Sequence, residues 1–207
     1  MDWDNVVTII IGLLAVVGFP LALRSRKKGG KGKLNELYQH LLGIGVEASV
    51  QGEDFSQPKA EGKRSLGEKS VGAIKLKGRS IDLINIIGVA SQYGVHYFLD
   101  FPVKSYSLTG RENKNKTRMV RKNRVSFGKK IADIEWKGDE SLAQKLNFDY
   151  KLKDKLIQAD SNFLKGGIQI FPETKHTNTR IRTTYFMPTP EIFEAIDIIA
   201  KHIKAGY

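Results

Sequence analysis

The chain contains no cysteine among its 207 residues. That excludes a disulfide framework, a thiolate nucleophile and any zinc or iron–sulfur site built on thiolates, and it is compatible with a reducing compartment. Histidine is almost as scarce. His40, His96, His176 and His202 stand in separate segments without a His-x-x-x-His spacing, so no metal site is expected. There is no Walker loop, no Gly-x-Ser-x-Gly elbow, no dinucleotide fingerprint and no internal repeat. Gly29-Gly30-Lys31-Gly32-Lys33 lacks both the preceding strand and the following Ser/Thr of a phosphate loop. No cofactor and no catalytic residue is therefore expected. The four acids worth weighing are Asp100, Asp133, Glu135 and Asp139. His96 and Asp100 share a strand face but stand about 13 Å apart along it, too far for a dyad, and both are expected to be partly exposed. Asp133 and Glu135 alternate on what reads as the outer face of a strand.

Charge is lacking altogether from Val6–Leu23, VVTIIIGLLAVVGFPLAL. As a helix this run covers about 27 Å, close to the hydrocarbon thickness of a bilayer, and its only polar side chain is Thr8, so it is expected to span. A cleaved export signal would need a positive N-terminal flank and a small-x-small site. Here the flank is Met-Asp-Trp-Asp and the far end carries bulky Leu21 and Leu23. Six basic residues follow within Arg24–Lys33, among them Arg24, Arg26, Lys27 and Lys28. By the positive-inside rule, residues 1–5 lie outside, 6–23 form the transmembrane helix with Trp3 at the outer interface, and 24–33 form a basic tether. Residues 34–207 are then a cytoplasmic domain at the cell membrane.

That domain, at 41% hydrophobic and 27% charged residues for the whole chain, has a globular composition. KLNELYQHLLG (Lys33–Gly43) predicts a short amphipathic helix ended by Gly43, and 52–69 predicts a polar loop. Strands are expected at 71–76, 81–90, 94–103, 131–136, 167–171 and 179–187. The clearest is GVHYFLDFPV, with Val95, Tyr97, Leu99, Phe101 and Val103 on one face. Helices are expected from Glu140, from Tyr150, and after Thr189-Pro190, where Ile192, Ile196, Ile199 and Ile203 make a stripe. The pattern predicts an α+β domain with a mainly antiparallel sheet and helices packed on it.

VGAIKLKGRSIDL, YGVHYFLDFPV, IADIEWKGDESLAQKL and KDKLIQAD, followed by strand pairs and a terminal helix, resemble a family of membrane-anchored prokaryotic proteins without an assigned function. The shared features are a Gly-Arg step before a hydrophobic strand and a Gly-Asp step before a Leu-Ala-x-x-Leu helix. They cover about Val71–Ile203 and are structural, so the resemblance implies a fold and an anchor but no site residues.

Lys104–Lys130 holds ten Lys or Arg against one acid, Glu112. With the six basic residues of the tether it exceeds the net charge of +12, so the remainder of the chain is slightly acidic. The segment reads as a basic hairpin loop that is either merely solvated or able to contact anionic lipid. Its candidate contact residues are Arg111, Lys114, Lys116, Arg118, Arg121, Lys122, Arg124, Lys129 and Lys130. Nucleic acid is disfavoured, because only Tyr106 and Phe127 could stack, both near the segment's margins. The sequence thus points to a membrane-anchored, non-catalytic binding or scaffolding module at the inner leaflet, with anionic lipid or an acidic protein as partner. Its alternatives are a tethered enzyme whose four acids converge in the fold, and nucleic-acid or acidic-partner binding through 104–130.

Overall fold

Alternation of apolar and polar side chains marks strands such as residues 94–104, whereas residues 84–88 are buried on both faces and residues 48–51 on neither. The computed structural model describes residues 30–51, 67–104, 116–123, 131–159, 166–173 and 178–206. The expected spanning run and the anchors Trp3, Arg24, Arg26, Lys27 and Lys28 lie outside these residues. Among the described residues no helix is long and apolar enough to cross a membrane.

Helix α1 occupies residues 30–43, so it reaches back into the stretch that reads as tether. It buries Leu37 and Leu41, one turn apart. Gly43 does not end it as expected. The left-handed residue is Gly45 (φ 76°), whose N–H donates to the Leu42 carbonyl while that of Val46 donates to Leu41. This Schellman arrangement satisfies the last carbonyls and lays buried Val46 beside Leu41.

Eight strands follow: β1 (Ala48–Gln51), β2 (Glu68–Leu76), β3 (Leu83–Ser91), β4 (Gly94–Lys104), β5 (Thr117–Asn123), β6 (Ile131–Lys137), β7 (Ile168–Glu173) and β8 (Asn178–Thr184). They form one sheet in the order β1-β2-β3-β4-β8-β7-β5-β6, antiparallel throughout. Helices α2 (Glu140–Phe148), α3 (Tyr150–Gln158) and α4 (Pro190–Lys204) complete an α+β fold with eight strands and four helices among the described residues. Ile86 faces Leu99, Leu99 faces Thr183, and Phe101 faces Ile181, which faces Ile170. These side chains meet the α4 stripe of Ile192, Ile196, Ile199 and Ile203 in one core. Thr189 accepts from the Ile192 N–H and Pro190 opens the helix, as its sequence predicts.

β5 was not expected, since TRMVRKN lies inside the basic segment that reads as a loop. Among its described side chains only Thr117 and Met119 are buried, because no described helix covers the other face of the sheet, which tolerates charge. The corner after β6 is tight. Gly138 (φ 132°) passes so close to the start of β5 that a Cβ would fall on the Lys116 carbonyl oxygen, which is why glycine precedes the α2 cap Asp139.

Because every pairing is antiparallel, the sheet has two distinct ends. At one end, called near, β2, β4, β6 and β7 begin and β3, β5 and β8 finish. The first described residues of α1 lie there too. Gly30 lies against Val71, and the Lys33 ammonium sits 4.3 Å from the Tyr185 ring and 5.6 Å from that of Tyr97. The Tyr185 hydroxyl donates to the Lys33 carbonyl at 2.8 Å.

Candidate functional site

The face of the sheet away from the helices carries a cluster of ionised groups placed by strand register. Asp100 on β4 stands opposite Arg182 on β8, and Arg180 stands opposite Phe171 on β7. Arg182 donates from Nε to Asp100 Oδ1 at 2.6 Å and from Nη2 to Oδ2 at 2.8 Å, a bidentate pair, and from Nη1 to Glu68 Oε1 at 2.6 Å. Arg180 adds a bond from Nη1 to Asp100 Oδ2 at 3.3 Å. Its Nε lies 3.3 Å from Glu173 Oε1 but forms no hydrogen bond, so that contact is Coulombic only. The guanidinium of Arg182 lies 5.3 Å from the Phe98 ring centre, and Phe171 lies beneath both arginines and Lys116.

Asp100 is 4% exposed and Arg182 9%, against the expectation that Asp100 would be partly exposed. Burial alone would push the Arg182 pKa down, but the hydrogen bonds it donates to Asp100 and Glu68 outweigh it and hold the guanidinium firmly protonated. Lys116 is shifted down, by its own desolvation and then by Arg118 and Arg182. A carboxylate that accepts three hydrogen bonds from two guanidinium groups is held ionised and is a weak base toward a substrate proton. The cluster is a brace joining β2, β4 and β8.

A second feature is an open recess of about 660 Å³ where α2 meets α3, lined by Gln144, Lys145, Phe148, Asp149, Tyr150, Lys151 and His202. Asp149 caps α3 through the Leu152 N–H, and its other oxygen meets His202 Nε2 at 2.8 Å. Burial raises the Asp149 pKa, yet the bonds from His202 and Leu152 prevail and hold it below the usual carboxylate range. Phe148 and Tyr150 stand out of the surface, 67% and 74% exposed. Among the described residues no Ser, Thr or Cys lines the recess, and its one hydroxyl is the phenol of Tyr150, so the His–Asp pair has no aliphatic hydroxyl or thiol beside it there.

The remaining acids are engaged separately. Asp133 accepts from the Ile134 N–H and pairs with Lys153 at 2.6 Å; Glu135 pairs with Lys122 at 3.2 Å and Lys137 at 3.5 Å; Asp139 caps α2. Four strand spacings separate β4 from β6, so Asp100 lies about 19 Å from Asp133 and Glu135. Among the described residues no group of three His, Asp or Glu could hold a metal ion.

Of the basic residues proposed as contacts, Arg111, Lys114, Arg124, Lys129 and Lys130 lie outside the described residues. Lys116 precedes β5, and Arg118 and Lys122 alternate with Arg121 onto opposite faces of it. Lys104 and Thr117 stand at the far end of the sheet, Asn123 and Ile131 at the near end. The segment is therefore split by a strand and does not form one hairpin loop. The brace was not anticipated from sequence; its signal is Arg180-x-Arg182 within one strand opposite the lone acid of FLDF.

Comparison with known proteins finds no family model, no curated protein and no solved structure that matches the chain.

Proposed function

We propose that the chain is a single-pass membrane protein whose α+β domain is a binding module on the cytoplasmic side, without chemistry of its own. The dispersal of the acids is the observation that supports this reading. An enzyme built on Asp100, Asp133, Glu135 and Asp139 needs them in one concave site, whereas each is held by a different partner on a different element, and Asp100 is about 19 Å from the β6 pair. The anchor rests on the uncharged run Val6–Leu23 and the basic residues after it, and it accords with the resemblance to membrane-anchored proteins. The test is topology. A reporter active only in the cytoplasm, fused after Tyr207, gives signal, and the full chain stays with membranes through alkaline extraction. Silence of that reporter beside an active extracytoplasmic one would overturn the orientation, and extraction of the chain would overturn the anchor.

A further inference from the structure

Tyr93 is the most exposed large hydrophobic side chain described, at 88%, and its turn holds it there. It sits in the two-residue turn Gln92–Tyr93 between paired Ser91 and Gly94. The Ser91 hydroxyl donates to the Gly94 carbonyl at 3.1 Å and accepts from the Tyr93 N–H at 3.3 Å, while Gly94 takes a φ of 128° that a side chain would resist. Such a turn is stiff. An aromatic ring held out into water at its tip costs apolar exposure with nothing in the domain to repay it.

Its place in the fold suggests what it meets. The turn is at the near end of the sheet, where the first described residues of α1 lie. Those residues are pinned: Gly30 is pressed on Val71, and Lys33 is gripped by Tyr97 and Tyr185. Between Leu23, the last residue of the uncharged run, and Gly30 there are seven chain steps, at most about 25 Å even if fully extended. Tyr93 lies about 13 Å along β4 beyond Tyr97, toward the same end. Lys31 and Lys69 are exposed nearby, on α1 and at the start of β2. Glu68, which opens β2 at this end, is turned away into the Arg182 brace.

We propose that the near end of the sheet is a lipid-contacting surface, with Tyr93 seated among the headgroups and Lys31 and Lys69 meeting anionic phosphates. It rests on the anchor reading above and adds the orientation of the domain to it. Tyrosine suits the role, since its ring is apolar and its hydroxyl remains wet at the membrane–water interface. The short pinned connection does the rest, because it holds the near end within reach of the bilayer and the far end away from it.

The absence of native cysteine allows one label at a time. Full-length Gln92→Cys and Lys77→Cys, the latter in the far-end turn after β2, are each labelled with an environment-sensitive fluorophore and reconstituted in phosphatidylcholine vesicles containing phosphatidylglycerol and a lipid-borne quencher. Flotation with the vesicles reports the anchor independently of the label. The label at 92 is quenched at least about twofold more than the label at 77, and adding Tyr93→Ser halves that difference or more. Equal quenching at 92 and 77 in chains that float would overturn the proposed orientation while leaving the anchor intact. An unchanged difference in the Tyr93→Ser variant would remove Tyr93 from it. Chains that fail to float would sink the anchor reading and this inference with it.

Discussion

Replacing Asp100 by Ala tests the brace directly. The substitution leaves Arg182, 9% exposed, with Glu68 as its remaining hydrogen-bonded carboxylate and removes the hydrogen bond from Arg180 Nη1 to Asp100. Removing one partner of a buried ion pair costs about 3–5 kcal/mol when the survivor has no other partner. Because Glu68 still binds Nη1 at 2.6 Å, the expected loss is somewhat smaller, about 2–4 kcal/mol. Screening by water removes little of it, since the Asp100 side chain is 5% and that of Arg182 11% exposed. Urea unfolding of residues 30–207 should show the lowered midpoint without a changed slope, and the melting temperature should fall by roughly 5–15 °C. Glu68→Gln alone should cost less, and the two together should depart from additivity by more than about 1 kcal/mol, because both carboxylates share one guanidinium. A loss under about 1 kcal/mol for Asp100→Ala, with additive behaviour, would refute the view that the cluster is a brace.

The start of α1 should matter in the same way: a fragment beginning at residue 34 loses the Lys33 contacts with Tyr97 and Tyr185 and should unfold about 1–2 kcal/mol more easily than one beginning at 30, and equal urea midpoints would detach Lys33 from the fold. Asn147 covers the outer edge of β6, its Oδ1 accepting from the Trp136 N–H at 2.7 Å and its Nδ2 donating to the Trp136 carbonyl at 3.0 Å. Asn147→Ala should therefore destabilise by about 1–3 kcal/mol and expose a strand edge, read as concentration-dependent association in sedimentation that the parent lacks. Asp149 has a depressed carboxyl pKa, so its contribution is fully present above the unfolded carboxylate value, about 3.9, and is lost as pH falls through the lower folded one. Asp149→Asn should flatten the acid side of the stability curve below about pH 4; identical acid slopes would contradict the assignment.

By itself the sequence determined the elements whose signals are local. Strict alternation in GVHYFLDFPV made β4 legible, and Thr189-Pro190 with the isoleucine stripe made α4 so, because caps and periodic faces act within a few residues of chain. The uncharged run and its basic flank are equally local, and they still carry the anchor reading. β5 was invisible in that way: Arg118, Val120 and Lys122 look outward to a face without helices, and only Thr117 and Met119 are buried, so no apolar run marks it. Its strand state comes from pairing with β6, the next strand in the chain, and with β7, which follows two helices later. The tertiary structure alone decided that Asp100 is buried and saturated, since Glu68, Arg180 and Arg182 reach it only through the order of strands in the sheet. It also decided that the basic segment is divided between two ends, and that Tyr93 shares an end with the start of α1. Which end a loop occupies follows from strand direction, and strand direction is set by non-local hydrogen bonding that no stretch of sequence contains.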